Sequence, residues 1–451
     1  MARTRNRRFL GIPDEFWIGF VIMVGCFLKL VYDTRISYSE FTINAGSWTE
    51  FVSGHPNPGH IGLMQYYMTV MHLPDFDPRT VTCYSNPPFY YILCAAILKV
   101  IHQMMGWQIG TCLHCLLCLN AIYVLVGEIC GIIMAVGFGI RDRKLVITIL
   151  ILTFFPGFYN LTSTLDGTAF CYMCMMVALN AARSWYVSRR SKTLRTCGIW
   201  LGIGMMTSYS AIITLPAMIV LFRNGCIDGR RSEVPYRKQF RTFIILAAVL
   251  GLWWPMYLFF RFGIRPFYVD RTGMTRVHGN LLSRLLLPSF HTLTGHLHTM
   301  GIASSESNIW AQTFKTAIVD FKALDLRLTV VNGLAVLTLL LSVVICILAH
   351  VMWIWSDLSQ RVDHVQRNFL LIGYLAMLAG YVYICGRYPY IETMRFASIM
   401  PVFTFPVIGM GLCGEGTPDD NMFEKVTTGV MNALVLIFSI LVAFLFGFYA
   451  V

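Results

Sequence analysis

Charge is what this chain has least of. Only 13% of its 451 residues are Asp, Glu, Lys or Arg, where an ordinary soluble domain carries about one quarter. Hydrophobic residues make up 56%, and the mean hydropathy is +0.62. So few polar side chains cannot cover a globule in water, which excludes a soluble fold and turns most of the surface toward lipid. Acid is scarcer than base, 23 residues against 35, for a net charge of +12. The Lys and Arg residues stand in short clusters beside apolar runs. That is the pattern of cytoplasmic membrane flanks and not of a nucleic-acid surface, so no nucleic-acid partner is expected. No small-residue cleavage site follows the apolar run behind Arg3, Arg5, Arg7 and Arg8, which reads as a retained anchor. No second cysteine pair at zinc-site spacing joins Cys112 and Cys115, which flank His114. Most of the fourteen cysteines fall inside apolar runs, where thiols serve packing. An inverted repeat of the transporter kind is also missing.

Long apolar runs are what the chain does have. Each run of about 18 residues or more can cross a hydrocarbon core as a helix, the element that satisfies its own backbone in lipid. The first, Phe16 to Tyr32, starts in the cytoplasm and makes 33–86 an outer loop. Within that loop, apolar residues from Gly59 to Met71 at helical spacing predict an amphipathic helix on the membrane surface, ended by Pro74 and Pro78. Pro87 and Pro88 open a run to about Met104. Further runs are Cys112 to Phe138, Lys144 to Asn160, Ala169 to Tyr186, Gly198 to Phe222 with a break at Thr207 to Ser210, and Thr242 to Phe262. After a second outer loop, 264–326, come Leu328 to Trp355, Phe369 to Cys385, Phe396 to Leu412 and Val426 to Tyr449. The expectation is one membrane domain over 1–451, an all-α polytopic helical bundle of the cell membrane with about eleven transmembrane helices. Strict alternation puts Arg141, Arg143 and Lys144 outside, against the positive-inside rule. One segment between Pro87 and Phe138 therefore has to stop short of crossing.

The two outer loops share a side, which points to chemistry there. Ionisable residues at the ends of apolar runs mark candidates, because charge at membrane depth is costly. They include Asp33, Arg35, Glu40, His60, Asp75, Asp77, Asp166, Glu392 and Arg395. Asp166 before Gly167 also reads as a turn former, Glu392 and Arg395 as an interfacial ion pair, and the others as snorkelling heads. Tyr84, Phe89, Tyr90, Tyr91, Tyr388 and Tyr390 suit an interface belt or a sugar-stacking surface.

The ordered series of short motifs resembles the membrane glycosyltransferases of the C-type fold, in the branch of the protein O-mannosyltransferases and lipid A aminoarabinose transferases, and most of all divergent bacterial members. The likeness rests on Gly59, His60, Ile61; on Leu73, Pro74, Asp75 with Asp77, Pro78; and on Pro87, Pro88, Phe89. It continues through Asp166, Gly167; Met206 to Ser210; and Pro389, Tyr390 with Met394, Arg395, Phe396. Where such relatives carry Arg-X-His-Asp after the first span, this chain reads Arg35, Ile36, Ser37, Tyr38. The resemblance implies inverting transfer of a sugar from a polyprenyl-phosphate donor, at times with a divalent metal, to an acceptor the sequence does not name. It makes Asp33 or Glu40 the acid/base, Arg35 and Arg395 the phosphate partners, and His60, Asp166 and Glu392 supporting ligands around an outward cavity. The missing His-Asp leaves a catalytically silent, lipid-binding relative as the alternative, and a transporter as the reading from another class.

Overall fold

The computed structural model describes residues 12–37, 44–52, 55–228, 236–264, 279–286, 308–318, 328–358, 364–390, 404–411 and 422–449, with 8, 9, 42, 276, 277, 324 and 325. Glu40, Glu392 and Arg395 lie outside the described residues. A two-residue antiparallel pair, Arg8–Phe9 with Ile12–Pro13, precedes α1 (Asp14–Arg35). The helices α2 (Gly59–Val70), α3 (Phe89–Leu98, continued as a wider turn to Met104), α4 (Ile109–Gly137), α5 (Asp142–Phe154) and α6 (Pro156–Thr162) follow. Next come α7 (Thr168–Ser188), α8 (Ser191–Met205), a tight turn Tyr209–Thr214, α9 (Leu215–Asp228) and α10 (Tyr236–Phe262). The last are α11 (Leu281–Leu285), α12 (Ile309–Ile318), α13 (Thr329–Leu358), α14 (His364–Arg387), α15 (Thr404–Gly411) and α16 (Met422–Phe444, continued to Tyr449).

The chain is an all-helical polytopic membrane protein. Among the described residues, eight stretches are long and apolar enough to span: Phe16–Arg35, Ile109–Gly137, Arg143–Thr162, Tyr209–Ile227, Tyr236–Phe262, Thr329–Ile354, His364–Arg387 and Val426–Tyr449. Their outer faces are apolar. On α1, Phe16, Phe20, Met23 and Phe27 stand exposed at helical spacing while Lys29, Tyr32 and Asp33 on the other side are buried. Water would not tolerate that stripe, and lipid does.

The Phe89–Met104 segment does not cross. Tyr91, near its start, meets His60 of the first loop with Nδ1 and hydroxyl 2.7 Å apart. At its far end Lys99 Nζ lies 2.6 Å from Met71 Sδ and His102 packs edge-on to Trp48. Both ends of α3 therefore rest on the same loop, alongside α2. α4 begins at this loop end and finishes beside Arg141 and Arg143. From Asn120, level with the 163–167 hairpin, to Gly137 the helix rises about 26 Å, one hydrocarbon thickness. The first third of α4 extends beyond that level, beside the Lys99–Met104 turn that continues α3.

The helix expected over Gly59–Met71 forms over Gly59–Val70, but it is not amphipathic: Gly59 to Met68 are all buried. Residues 72–88 wrap its second face, which its own periodicity could not report. The loop is clamped to the end of α10. Arg79 holds Asp77 through Nε to Oδ1 at 2.9 Å and Nη2 to Oδ2 at 3.0 Å, and donates to the carbonyls of Phe262 and Gly263. Trp254 Nε1 donates to the Ser85 carbonyl at 3.1 Å, and the Tyr257 hydroxyl to that of Pro74 at 3.3 Å. A cation on the last carbonyls of a helix is favourably placed.

The phenols of Tyr66, Tyr67 and Tyr84 fill the interior of this loop, with Tyr84 donating to the carbonyls of Asn57 and Gly62. Burial pushes all three above the ordinary tyrosine range, and Asp75 adds to the effect at Tyr66. A phenol raised in the folded state favours the neutral form, so its contribution is intact below the unfolded value of about 10 and is lost as pH rises beyond it. Phenolate absorbance at 295 nm should accordingly fall short by at least these three tyrosines near pH 10.5 and reach its full value only when the protein unfolds.

At mid-depth, Lys29 Nζ contacts Glu128 Oε1 at 2.6 Å and donates to the Thr153 carbonyl at 2.8 Å, with side-chain exposures of 1% and 0% for the pair. The close crossing comes from Gly25, where a β-carbon would meet Thr153 Cγ2 at 2.0 Å. Glu128 lies about 12 Å below Asn120 along α4. One ion pair thus ties α1, α4 and α5 together inside the bundle.

Candidate functional site

The hairpin between α6 and α7 organises the loop end. Gly167 turns the chain with φ +83°, where a β-carbon would also come within 3.0 Å of Tyr90 and 3.1 Å of Thr207. Asp166 Oδ1 closes the turn by accepting from Thr164 Oγ1 at 3.1 Å, Thr168 N at 3.0 Å and Thr168 Oγ1 at 2.6 Å. This is the local bonding that Asp provides in turns. The carboxylate remains half-buried.

Two polar arms run from the hairpin. On one, the Tyr91 hydroxyl sits 3.4 Å from the Asp166 carbonyl, accepts from Asn86 Nδ2 at 3.2 Å and meets His60 Nδ1 at 2.7 Å, the rings stacked at 5.7 Å. A hydroxyl has one proton. Either the hydroxyl donates to the Asp166 carbonyl and Nδ1 of His60 donates to Tyr91, or the hydroxyl donates to Nδ1. On the other arm, Asn120 Nδ2 donates to the carbonyls of Thr164 at 2.7 Å and Thr162 at 3.4 Å, and Asn120 Oδ1 accepts from the Tyr90 hydroxyl at 3.3 Å. Thr162 Oγ1 donates to Asp33 Oδ1 at 2.8 Å. Asp33, Asp166 and His60 are thus joined in one network, with the Thr207–Ser210 break beside it: Phe89 N donates to the Met206 carbonyl at 3.2 Å, and the hydroxyls of Ser208 and Ser210 lie 2.8 Å apart.

The placements differ in what they permit. Asp33 is not at the start of a loop but in α1, 0% exposed, and its Oδ2 has no hydrogen-bond partner among the described residues. An acceptor cannot reach it there. Arg35 points away, donating from Nη1 to the Gly447 carbonyl at 2.8 Å and tying α1 to the end of α16. His60 is buried, and Asp166 keeps an accessible edge. Asp77 is consumed by Arg79. His114 is bound to backbone, its ring nitrogens 2.9 Å from the Gly110 carbonyl and 3.2 Å from that of Ile36. Among the described residues no three His, Cys, Asp or Glu side chains converge to hold a metal ion. A cavity of about 540 Å³ lies at the opposite, basic end, lined by Cys226, Tyr236, Arg237, Phe240, Arg241, Ile244 and Ile245.

No family model and no curated protein matches this chain. Thirteen chains of solved structures do, among them two of one protein. One is ArnT from Cupriavidus metallidurans in the apo state, at 14% identity and a TM-score of 0.40, covering 89% of this chain and 78% of that one. The other is ArnT from the same organism bound to undecaprenyl phosphate, at 13% identity and 0.40, covering 88% and 77%.

The residues that sequence reasoning passed over are those joining the network: Asn120, Tyr91 as a bonding group, Thr162, and below them Lys29 and Glu128. A signal for several was present. Asn120 and Glu128 interrupt the long apolar run Ile109–Gly137, and a polar group at membrane depth asks for a partner.

Proposed function

We propose that this protein transfers a sugar from a polyprenyl-phosphate donor to an acceptor at the loop end of the bundle, on the non-cytoplasmic face of the cell membrane. The observation carrying this reading is the convergence of His60, Asp166 and the Thr207–Ser210 break, far apart in sequence, at the level where α4 leaves the hydrocarbon. A lipid-linked phosphate rides at that depth, so the group to be transferred is presented to the network while its tail stays in lipid. In the reaction the acceptor oxygen bonds to the anomeric carbon as the bond from that carbon to the phosphate oxygen breaks. The acceptor proton passes to a carboxylate, and the polyprenyl phosphate leaves. With Asp33 enclosed, Asp166 takes the carboxylate role among the described residues, and His60 holds Tyr91 in place beside the hairpin as a supporting residue. Glu40 stays assigned as the alternative acid/base, and Glu392 with Arg395 as donor ligands. The enclosure of Asp33 also favours a second reading, a silent relative that binds the lipid without turnover. Purified protein incubated with polyprenyl-phosphate sugars and an envelope extract separates them: sugar transfer with release of polyprenyl phosphate supports the transferase, and binding without release supports the silent relative.

A further inference from the structure

Arg284 sits in the short helix α11, which is held firmly. Asn280 Oδ1 accepts from Ser283 N at 2.8 Å, and Trp310 Nε1 donates to the Leu285 carbonyl at 3.0 Å. A β-carbon on Gly386 would lie 3.2 Å from Leu281. The Arg284 side chain is 2% exposed. Its Nη1 donates to the Cys385 carbonyl at 3.0 Å, which fixes the plane of the guanidinium. Nε and Nη2 are buried and have no hydrogen-bond partner among the described residues, where Arg284 also makes no ion pair. These two nitrogens are not an arbitrary pair. Their N–H bonds point the same way and form the edge of the guanidinium that grips two oxygens of one anion. The anchored group thus offers an oriented fork without a hydrogen-bond partner among the described residues. Burial pulls it below the ordinary arginine range, and an anion on the free edge reverses that.

The fork lies at the loop end. Val277 N donates to the Pro389 carbonyl at 2.8 Å, and α14 packs on the turn after the Thr207–Ser210 break, where a β-carbon on Gly380 would lie 3.1 Å from Ile213. Cys385 is about 7.5 Å further along that helix. We propose that Arg284 is a receptor for a phosphate monoester, gripped through Nε and Nη2, and that the phosphate is that of a membrane lipid. This rests on the transferase reading for the identity of the lipid, and supplies the phosphate cation that Arg35 does not.

The test uses the full chain in phosphate-free detergent, with thermal unfolding followed by tryptophan fluorescence. The probes are undecaprenyl phosphate, phosphatidic acid and inorganic phosphate. Wild type is expected to bind undecaprenyl phosphate with a rise in Tm. Arg284→Met should weaken that binding at least tenfold while unfolding at the same or a higher temperature without lipid, since it removes an unpaired buried cation. Arg284→Lys, a point charge without the fork, should fall between them. Equal binding by Arg284→Met and wild type, or no response of wild type to any probe, overturns the proposal. Inorganic phosphate bound as tightly as the lipids overturns the lipid assignment. Should Arg284→Met fail to fold, the Lys variant decides alone, and binding unchanged from wild type counts against the fork. The two readings fail separately: Arg284-dependent binding without sugar transfer refutes the transferase alone, and transfer indifferent to Arg284→Lys refutes this site alone.

Discussion

Replacing Glu128 by Ala is expected to destabilise the bundle by about 3–5 kcal/mol, the cost of leaving one member of a buried ion pair uncompensated. Lys29 would keep the Thr153 carbonyl and the faces of Phe158 and Tyr159, 5.9 and 5.6 Å from Nζ, and would be left with Asp33, one turn along α1 and already bonded to Thr162, as its nearest carboxylate. Lys29→Ala strands Glu128 in the same way. The double variant Lys29→Met, Glu128→Leu should recover most of the loss, because desolvating two charges offsets much of what their attraction contributes. Unfolding in detergent of wild type, Lys29→Met, Glu128→Leu and the double variant closes a cycle that measures the coupling directly. Additive single effects would mean that the two side chains do not pair in the membrane.

The second large effect concerns Asp166. Asp166→Asn keeps an oxygen to accept from Thr164 and Thr168 but removes the charge, so the hairpin should persist while sugar transfer falls about 10²- to 10⁴-fold, the usual range for a positioned acid or base. Asp166→Ala loses the acceptor too, and should cost about 1–3 kcal/mol of stability besides. The pair of variants separates chemistry from turn formation. Full transfer by Asp166→Asn with a destabilised Asp166→Ala would leave Asp166 a turn residue only.

How much was legible follows from what a sequence pattern can report. The first span, the bounds of α2, the 163–167 hairpin and the break at Thr207–Ser210 are local, set by apolar run length, Pro, Gly and turn residues, and they were readable. Burial of α2 on all sides was not, because the second face is covered by 72–88 and not by anything in its own period. The 16 residues Phe89–Met104 reach about 24 Å as a helix, short of a clear span, and their return to Trp48 and Met71 is a tertiary fact. Lys29 and Glu128 were visible as charges in apolar runs, yet nothing local matches partners 99 residues apart. Asp33 was read as a loop acid because the apolar run fades at Tyr32. The helix instead continues to Arg35, whose bond to Gly447 closes it. Arg284 gave no signal at all, since an arginine in a polar loop is ordinary until its surroundings enclose it.

The central claim is that the loop end, and not the basic end, receives the lipid phosphate. Photo-crosslinking with a polyprenyl phosphate carrying a diazirine near the phosphate, followed by peptide mapping, tests it most directly. Labelled peptides should contain Tyr91, the 163–167 hairpin, the Thr207–Ser210 break or Arg284, suppressed by excess unlabelled undecaprenyl phosphate. Competable labelling confined to Tyr236, Arg237, Phe240 and Arg241, around the cavity at the opposite end, would contradict it.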